Sequence, residues 1–121
     1  MSWLDSPQDN LLARYLDLTA TRQALITSNI ANVDTPGYRT RDIDFHGELM
    51  RAIQNGGEVT TEPAVREVQG LNARPDGNNV SIDRESMLLA EVQLQFSAAE
   101  QLLKSDFKTL SMAINEGSGA S

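Results

Sequence analysis

Cysteine is absent from this chain of 121 residues, and histidine occurs once, at His46. Disulfides, thiol chemistry and a metal centre of cysteines and histidines are therefore excluded, and a serine–histidine–aspartate triad would depend wholly on His46. Aromatic residues make up only 5% of the chain, although hydrophobic residues make up 40%. Because large aromatic side chains usually anchor globular cores, this composition favours helices packed through aliphatic side chains.

Basic residues are also scarce: ten lysines and arginines stand against seventeen acids, for a net charge of −7. A phosphate-binding surface needs clustered cations, so nucleic acid is not an expected partner. The acids show no calcium-loop spacing, and the glycines form no phosphate-binding fingerprint. We therefore predict no cofactor, no metal site and no enzymatic activity.

No apolar run approaches the roughly 18 residues that a membrane-spanning helix requires. The first residues contain neither a basic segment nor a continuous apolar segment, so we expect no ordinary secretory signal. The length allows one domain at most. On composition alone, the chain is typical of a cytosolic protein.

A long amphipathic helix is predicted over residues 7–33. Ser6 is suited to cap it, and Pro7 to occupy its first position. Apolar residues recur at spacings of three, four and seven, and we assign four of them to an assembly seam: Leu11, Leu18, Leu25 and Ile30. Arg22 falls inside this stripe, so either the seam is interrupted there or Arg22 meets an acid on a partner.

Residues 28–39, which read SNIANVDTPGYR, form a segment that we call the elbow. A helix arriving from the N-terminus must end before Pro36, and Pro36 and Gly37 suit the central positions of a type II turn. Short polar side chains can satisfy the free backbone groups of the helix end. The elbow motif comprises Asn29, Asn32, Thr35, Pro36, Gly37 and Tyr38.

The middle of the chain, residues 34–82, is predicted to be a turn-rich, extended arm. Residues 40–45 alternate, with Ile43 and Phe45 on one side, and a short helix over residues 46–53 is ended by Asn55 and two glycines. Residues 58–68 alternate weakly, and Pro63 allows only an edge strand there. Residues 70–79 read as a loop with a tight turn.

A second long helix is predicted over residues 83–116, with Ser81 or Asp83 as its cap. An apolar heptad pattern gives the second half of the assembly seam: Leu89, Val92, Phe96, Leu103 and Leu110. Residues 117–121 read as a flexible tail.

These elements predict an all-α, elongated fold in which the N- and C-terminal helices pair as a coiled coil. A single pair leaves several large apolar side chains facing water: Leu12, Ile26, Leu88, Leu102 and Ile114. Burying each contributes about 1.5–3 kcal/mol, so the chain gains from further partners.

The segment ANVDTPGY at residues 31–38 resembles the N-terminal signature of bacterial flagellar axial proteins. Residues 39–45 (RTRDIDF) and 76–85 (DGNNVSIDRE) are most similar to the proximal rod proteins of the flagellar basal body. The motif at residues 31–45 and the motif at residues 76–85 occur in the same order as in that family. The short middle segment favours a proximal rod protein over the larger distal rod and hook proteins. The alternative that the chain is another short rod protein remains open.

The resemblance implies a structural subunit that polymerises through helix packing into a hollow rod, which transmits torque and passes export substrates. It also implies contacts with further copies, other rod proteins, the basal-body adaptor and the export gate. The expected location is the periplasmic rod, reached by type III export without a cleaved signal peptide. Phe45 and Leu49 fit a short export-gate motif of such substrates. The alternative is a cytosolic helical adaptor or chaperone-like binding module.

Overall fold

The computed structural model describes residues 7–57 and 61–119, with side chains placed over residues 9–57 and 61–105. The elements follow in the order α1 (Pro7–Ala31), β1 (Arg41–Ile43), α2 (Phe45–Gln54), β2 (Val65–Glu67) and α3 (Ile82–Gly119). The chain is mostly helical. The all-α prediction is confirmed only in part, because the middle contributes a two-stranded sheet.

Helix α1 begins at Pro7, as predicted, and ends at Ala31, slightly before the predicted end. The predicted cap, Ser6, lies outside the described residues. The helix tightens as it ends, since the Val33 amide donates to the Ile30 carbonyl (3.2 Å). The Asn32 side chain also donates to the Ser28 carbonyl (2.8 Å), which supplies the predicted polar closure of the helix end.

Helix α2 is longer than predicted by one residue at each end. Asp44 caps its start by accepting a hydrogen bond from the Gly47 amide (3.2 Å). Its end is a Schellman motif, in which the Gly57 amide donates to the Ala52 carbonyl (2.7 Å) and Gly56 has a φ of 64°. The predicted stop at Asn55 and the two glycines is therefore confirmed.

Strands β1 and β2 pair antiparallel, with Asp42 opposite Arg66. Phe45 was expected to continue the first strand beside Ile43. It begins α2 instead, because Asp44 is better suited to a helix cap than to a strand. The weak alternation predicted from residue 58 is realised only at Val65–Glu67, and residues 58–60 lie outside the described part of the chain.

Helix α3 is capped by Ser81, whose hydroxyl accepts from the Arg84 amide (3.3 Å). Ser81, rather than Asp83, is therefore the cap. The helix extends to Gly119, so the flexible tail predicted from residue 117 is wrong over its first residues. No proline stops the helix there, and elongating an existing helix is easy compared with nucleating one. Residues 120–121 lie outside the described residues.

The core lies between α1 and α3, which run antiparallel. Ile26 of α1 packs with Leu88 and Val92 of α3, and half-buried Ile30 and Leu89 complete the cluster. The expectation that Ile26 and Leu88 face water is wrong, because their exposed fractions are 1% and 8%.

The contact face of α3 is rotated by about one residue from the predicted heptad pattern. The buried residues are Glu85, Leu88, Val92 and Ala99. Val92 belongs to both patterns. Glu85 is polar, so counting apolar residues could not identify the true contact face. Of the predicted seam, Leu18 and Val92 are fully buried, Leu103 is 39% exposed, Leu110 lies outside the described side chains, and the others are half-buried: Leu11, Leu25, Ile30, Leu89 and Phe96.

Candidate functional site

The elbow contains the predicted turn. The Tyr38 amide donates to the Thr35 carbonyl (3.2 Å), and Gly37 has a φ of 76°, as the third position of a type II turn requires. A Cβ atom at Gly37 would meet nothing within 4 Å. The requirement for glycine is therefore conformational rather than steric.

A second loop, residues 74–80, lies directly against this turn. The Gly37 amide donates to the Asp76 carbonyl (2.9 Å). Gly77 has a φ of 87°, and a Cβ atom there would lie 3.4 Å from the Gly37 Cα atom. The two motifs that carry the family resemblance, some 40 residues apart, thus touch through their glycines.

Asn78 of the second loop holds the end of α1. Its side chain is fully buried and donates to the carbonyls of Asn32 (2.9 Å) and Thr35 (2.8 Å). Its side-chain oxygen accepts from the Val80 amide (2.8 Å). One amide side chain therefore satisfies the helix end and fixes its own loop.

Asn79 forms the next link between the second loop and the middle of the chain. Its side-chain oxygen accepts from the Thr40 amide (2.6 Å) and from the Thr40 hydroxyl (2.9 Å), and both residues are buried. Its backbone amide donates to the Tyr38 carbonyl (3.3 Å). The second loop thereby holds the chain on both sides of the elbow turn.

Asn29 connects α1 to the chain that follows the elbow turn. Its buried side chain donates to the Arg41 carbonyl (2.9 Å), and its side-chain oxygen accepts from the Arg41 amide (3.1 Å) and the Tyr38 hydroxyl (3.0 Å). The same amide group also donates to Glu85 of α3 (3.2 Å). We call the buried side chains that join these segments the elbow cluster: Asn29, Thr40, Asn78, Asn79 and Glu85.

Glu85 is a fully buried carboxyl group at the start of α3. Burial raises its pKa, while hydrogen bonds from Asn29 and from Arg84 (2.8 Å) act in the opposite direction. Its position connects the first turn of α3 to the last turns of α1.

Two exposed arginines connect backbone segments around the elbow cluster. Arg74 donates to the Val80 carbonyl (2.8 Å) and to the Val33 carbonyl. Arg39 donates to the Gly77 carbonyl (3.2 Å). Because arginine carries several donors in a fixed fork, one side chain can join two backbone segments.

Arg22, which interrupts the predicted stripe, meets its acid within the chain. Its guanidinium lies 3.2 Å from the Asp42 carboxylate of β1, and both side chains are mostly buried. It also lies over the Phe45 ring, 6.0 Å from the centroid. Arg22, at the break in the predicted apolar stripe, is therefore paired within the chain and needs no acid from a partner.

The two residues of the predicted export-gate motif lie on α2 and face α1. The Phe45 ring meets the Tyr15 ring edge-on, with centroids 5.5 Å apart. Leu49 lines an apolar groove of about 420 Å³ at the other end of the helix pair. The remaining lining residues are Leu11, Leu12, Tyr15, Ile53, Ala98, Ala99 and Leu102.

Helix α3 also presents apolar side chains to solvent. Met87 is 65% exposed and Leu94 is 72% exposed. They are seven positions apart, so they lie on the same side of the helix, and we call this surface the ridge.

His46 is exposed, and the described residues contain no group of three potential metal ligands. No helix in the described part of the chain is long and apolar enough to cross a membrane.

The model of the family described as "Flagella basal body rod protein" matches residues 16–39, the last two-thirds of α1 and the whole elbow. The flagellar basal body rod protein FlgB of Escherichia coli strain K12 is 34% identical over 84% of this chain and 88% of its own length. FlgB of Cereibacter sphaeroides is 42% identical over 84% and 89%. The chain belongs to the flagella basal body rod protein family.

FlgB of Borrelia hermsii is 32% identical over 87% of this chain and 93% of its own length. Of the predicted elbow motif, the structure brings Asn29, Asn32, Thr35, Gly37 and Tyr38 into one hydrogen-bonded unit. Sequence reasoning gave no role to Arg74, Asn78, Asn79 and Glu85. The signal that could have found them was the second motif, in which most of them lie.

Proposed function

We infer that the chain is a structural subunit of the bacterial flagellar basal body rod. The observation that carries this inference is its likeness to FlgB proteins over most of its length, 34% identity across 84% of the chain for the Escherichia coli relative. The structure is suited to a mechanical role, since a buried hydrogen bond joins the end of α1 to the start of α3, and two more join the segment after α1 to the second loop.

The finer assignment is to the proximal rod. In this proposal α1 and α3 pair as a coiled-coil layer around the lumen of a helical tube. Such a tube is built by contacts that repeat without closing, so that packed helices transmit torque and leave a channel for export. Helix lengths of about 38 Å for α1 and about 57 Å for α3 support a layer of this kind.

The proposed partners are further copies of the chain, other rod proteins, the basal-body adaptor and the export gate. The proposed location is the periplasmic rod, reached without a cleaved signal peptide.

Phe45 and Leu49 are proposed as the export-gate motif. Both now lie against α1 or the groove, so recognition by the gate would precede folding of α2 onto α1.

The alternative of a cytosolic adaptor or chaperone-like module is not favoured. An adaptor would present the predicted seam to a partner helix, whereas Leu18 and Val92 of that seam are fully buried within the chain. The family is structural and is not known for enzymatic activity.

The test is to extract basal bodies with detergent from the source cell and to detect this chain by quantitative mass spectrometry. We expect it to co-purify with the rod, and we expect a strain lacking its gene to have no rod and no motility. If the chain is found only in the cytosolic fraction of cells with assembled flagella, the rod assignment is wrong and the adaptor assignment replaces it.

A further inference from the structure

The groove between α1, α2 and α3 is open to solvent although its lining is apolar. Leu102 of α3 is 59% exposed and Ile53 of α2 is 48% exposed, and no lining side chain carries a charge. The volume of about 420 Å³ is within the range of pockets that enclose small organic molecules. An apolar surface of this kind is stabilised when an apolar group covers it.

The start of α1 lies at one end of this groove. Leu11 and Leu12 line the groove and lie about one helical turn after Pro7, the first residue of the helix. The end of α2 is close to the same point, since a Cβ atom at Gly57 would lie 2.6 Å from the Leu11 amide nitrogen. The chain that precedes Pro7 therefore enters the fold beside the groove.

Residues 1–6, which read MSWLDS, lie outside the described residues and contain two adjacent large apolar residues, Trp3 and Leu4. Apolar residues that precede a helix cap often pack back against the first turns of that helix. Asp5, the one acid of the segment, can remain in water near the N-terminus of α1, where the helix dipole favours a negative charge. The composition of this segment is therefore suited to an apolar groove that begins at α1.

The length of the segment fits the distances involved. The α1 residues that line the groove, Leu11 to Tyr15, lie about 6–12 Å from Pro7 along the helix axis. The chain from Trp3 to Pro7 spans at most about 14 Å when it is extended. Trp3 can therefore turn back and reach the groove. The C-terminal part of α3 cannot do so, because it continues as a helix past the groove to Gly119.

We propose that residues 1–6 fold back over the groove of the same chain, with Trp3 and Leu4 packed between the start of α1 and Leu102 of α3. So short a tether gives the segment a local concentration of millimolar order, which favours it over the same segment of a second copy. The indole N–H can stay at the open side of the groove, in contact with water, while the ring is buried. The contact covers an apolar surface through which free subunits would otherwise associate.

This contact is a property of the free subunit and does not depend on the proposed rod function, so the purified full-length chain tests it. Trp3 is the only tryptophan, and its fluorescence therefore reports this contact alone. We expect emission at shorter wavelength, and severalfold weaker quenching by acrylamide, than in the same chain unfolded in urea. Quenching as strong as in the unfolded chain would overturn the proposal. Protection that appears only at high protein concentration would also overturn it, because a second copy would then supply the cover.

A pair of charge variants locates the protected tryptophan. Leu102→Glu places a carboxylate in the groove, and Leu94→Glu places one on the ridge of the same helix. Leu102 is 59% exposed and Leu94 is 72% exposed, so the circular dichroism of both variants should match that of the native chain. We expect Leu102→Glu to remove most of the protection of Trp3 and Leu94→Glu to preserve it. Equal protection in the two variants would mean that Trp3 is buried elsewhere, against the proposal.

Engineered cysteines give a second measurement that leaves Trp3 in place, and the chain has no native cysteine to interfere. Leu4→Cys is combined with Leu102→Cys in the groove, or with Leu94→Cys on the ridge as the control. After oxidation of the dilute chain, we expect a disulfide within the monomer for the groove pair and none for the control, as read by peptide mass spectrometry. Disulfide-linked dimers without the internal bridge, or no disulfide from the groove pair, would overturn the proposal.

Discussion

At the elbow end of the α1–α3 pair, the helices are joined by buried amide and carboxyl side chains, whereas at the other end they line an apolar groove. Asn29, Asn78 and Glu85 are all at most 1% exposed. In the groove, by contrast, Leu102 is 59% exposed and Ile53 is 48% exposed. The same two helices therefore form one end that is closed within the subunit and one that is open.

The difference separates two requirements on the sequence. Buried polar groups need partners within the chain, because an unpaired donor or acceptor is costly, so most hydrogen bonds of the elbow end must form within each subunit. Among the side-chain atoms of the elbow cluster, only the buried Asn79 Nδ2 atom has no hydrogen-bond partner. Exposed apolar side chains incur no such penalty and are stabilised when another surface covers them. The elbow end is thus suited to fold the subunit, and the groove end is suited to assembly.

The largest expected effect separates buried from exposed leucines on the same helix. Leu88→Ala should lower the free energy of unfolding by about 2–5 kcal/mol, because it opens a cavity beside Ile26 and Val92. Leu94→Ala, at a residue that is 72% exposed, should change it by less than about 0.5 kcal/mol. Urea titrations followed by circular dichroism measure both, and similar losses would contradict the assigned contact face.

The second-largest expected effect concerns a closely packed contact at the open end of the helix pair. Gly57 has a φ of 84°, and a Cβ atom there would lie 2.6 Å from the Leu11 amide nitrogen. Gly57→Ala should cost about 2–4 kcal/mol, since backbone strain and a clash with α1 add. Gly56→Ala, with a φ of 64° and open space, should cost only about 1 kcal/mol in the same titration. A Gly56 variant as unstable as the Gly57 variant would argue against close docking of α2 on α1.

The third effect tests the closed end. Asn78→Ala removes two hydrogen bonds to the carbonyls that follow α1 and one within its own loop, and it leaves the buried Val80 amide unpaired. We expect a loss of about 2–3 kcal/mol in the free energy of unfolding. Asn72→Ala, at an exposed asparagine earlier in the same stretch, is the control and should be nearly neutral. Equal stability of the two variants would mean that the second loop does not hold the elbow.

Local features of this fold could be predicted from the sequence. The stop of α1 before Pro36, the positive φ of Gly37 and the end of α2 at its two glycines follow from the conformational limits of proline and glycine. The long helices follow from their apolar periodicity. Each of these features depends on residues within about one helical turn of one another.

Features that depend on distant residues could not be predicted in the same way. A one-residue rotation of α3 exchanges Leu89 for Leu88 at the contact face, and both are leucines, so periodicity cannot choose between them. The contact between Gly37 and Gly77 joins two turns that each look complete alone. Nothing in the sequence marks Glu85 for burial, because burial of a carboxyl group is a property of the assembled fold.

The smallest expected effect concerns the pH dependence of the closed end. Burial raises the pKa of Glu85 above the ordinary glutamate value of 4.5, and hydrogen bonds from Asn29 and Arg84 oppose this, so the net effect is limited. A carboxyl group with a raised pKa in the folded chain stabilises the fold below its ordinary value. That contribution is lost as the pH rises through the raised value.

Glu85→Gln cannot ionise and therefore lacks this dependence. As the pH rises from below 4.5 to neutrality, the free energy of unfolding of Glu85→Gln should increase relative to that of the native chain. Only the difference between the two proteins is informative, because the other carboxylates titrate equally in both. Glu100→Gln, at an exposed glutamate of α3, is the control and should show little change in the corresponding difference. A difference that moves the opposite way for Glu85→Gln would mean that its hydrogen bonds outweigh burial, and that ionised Glu85 stabilises the elbow.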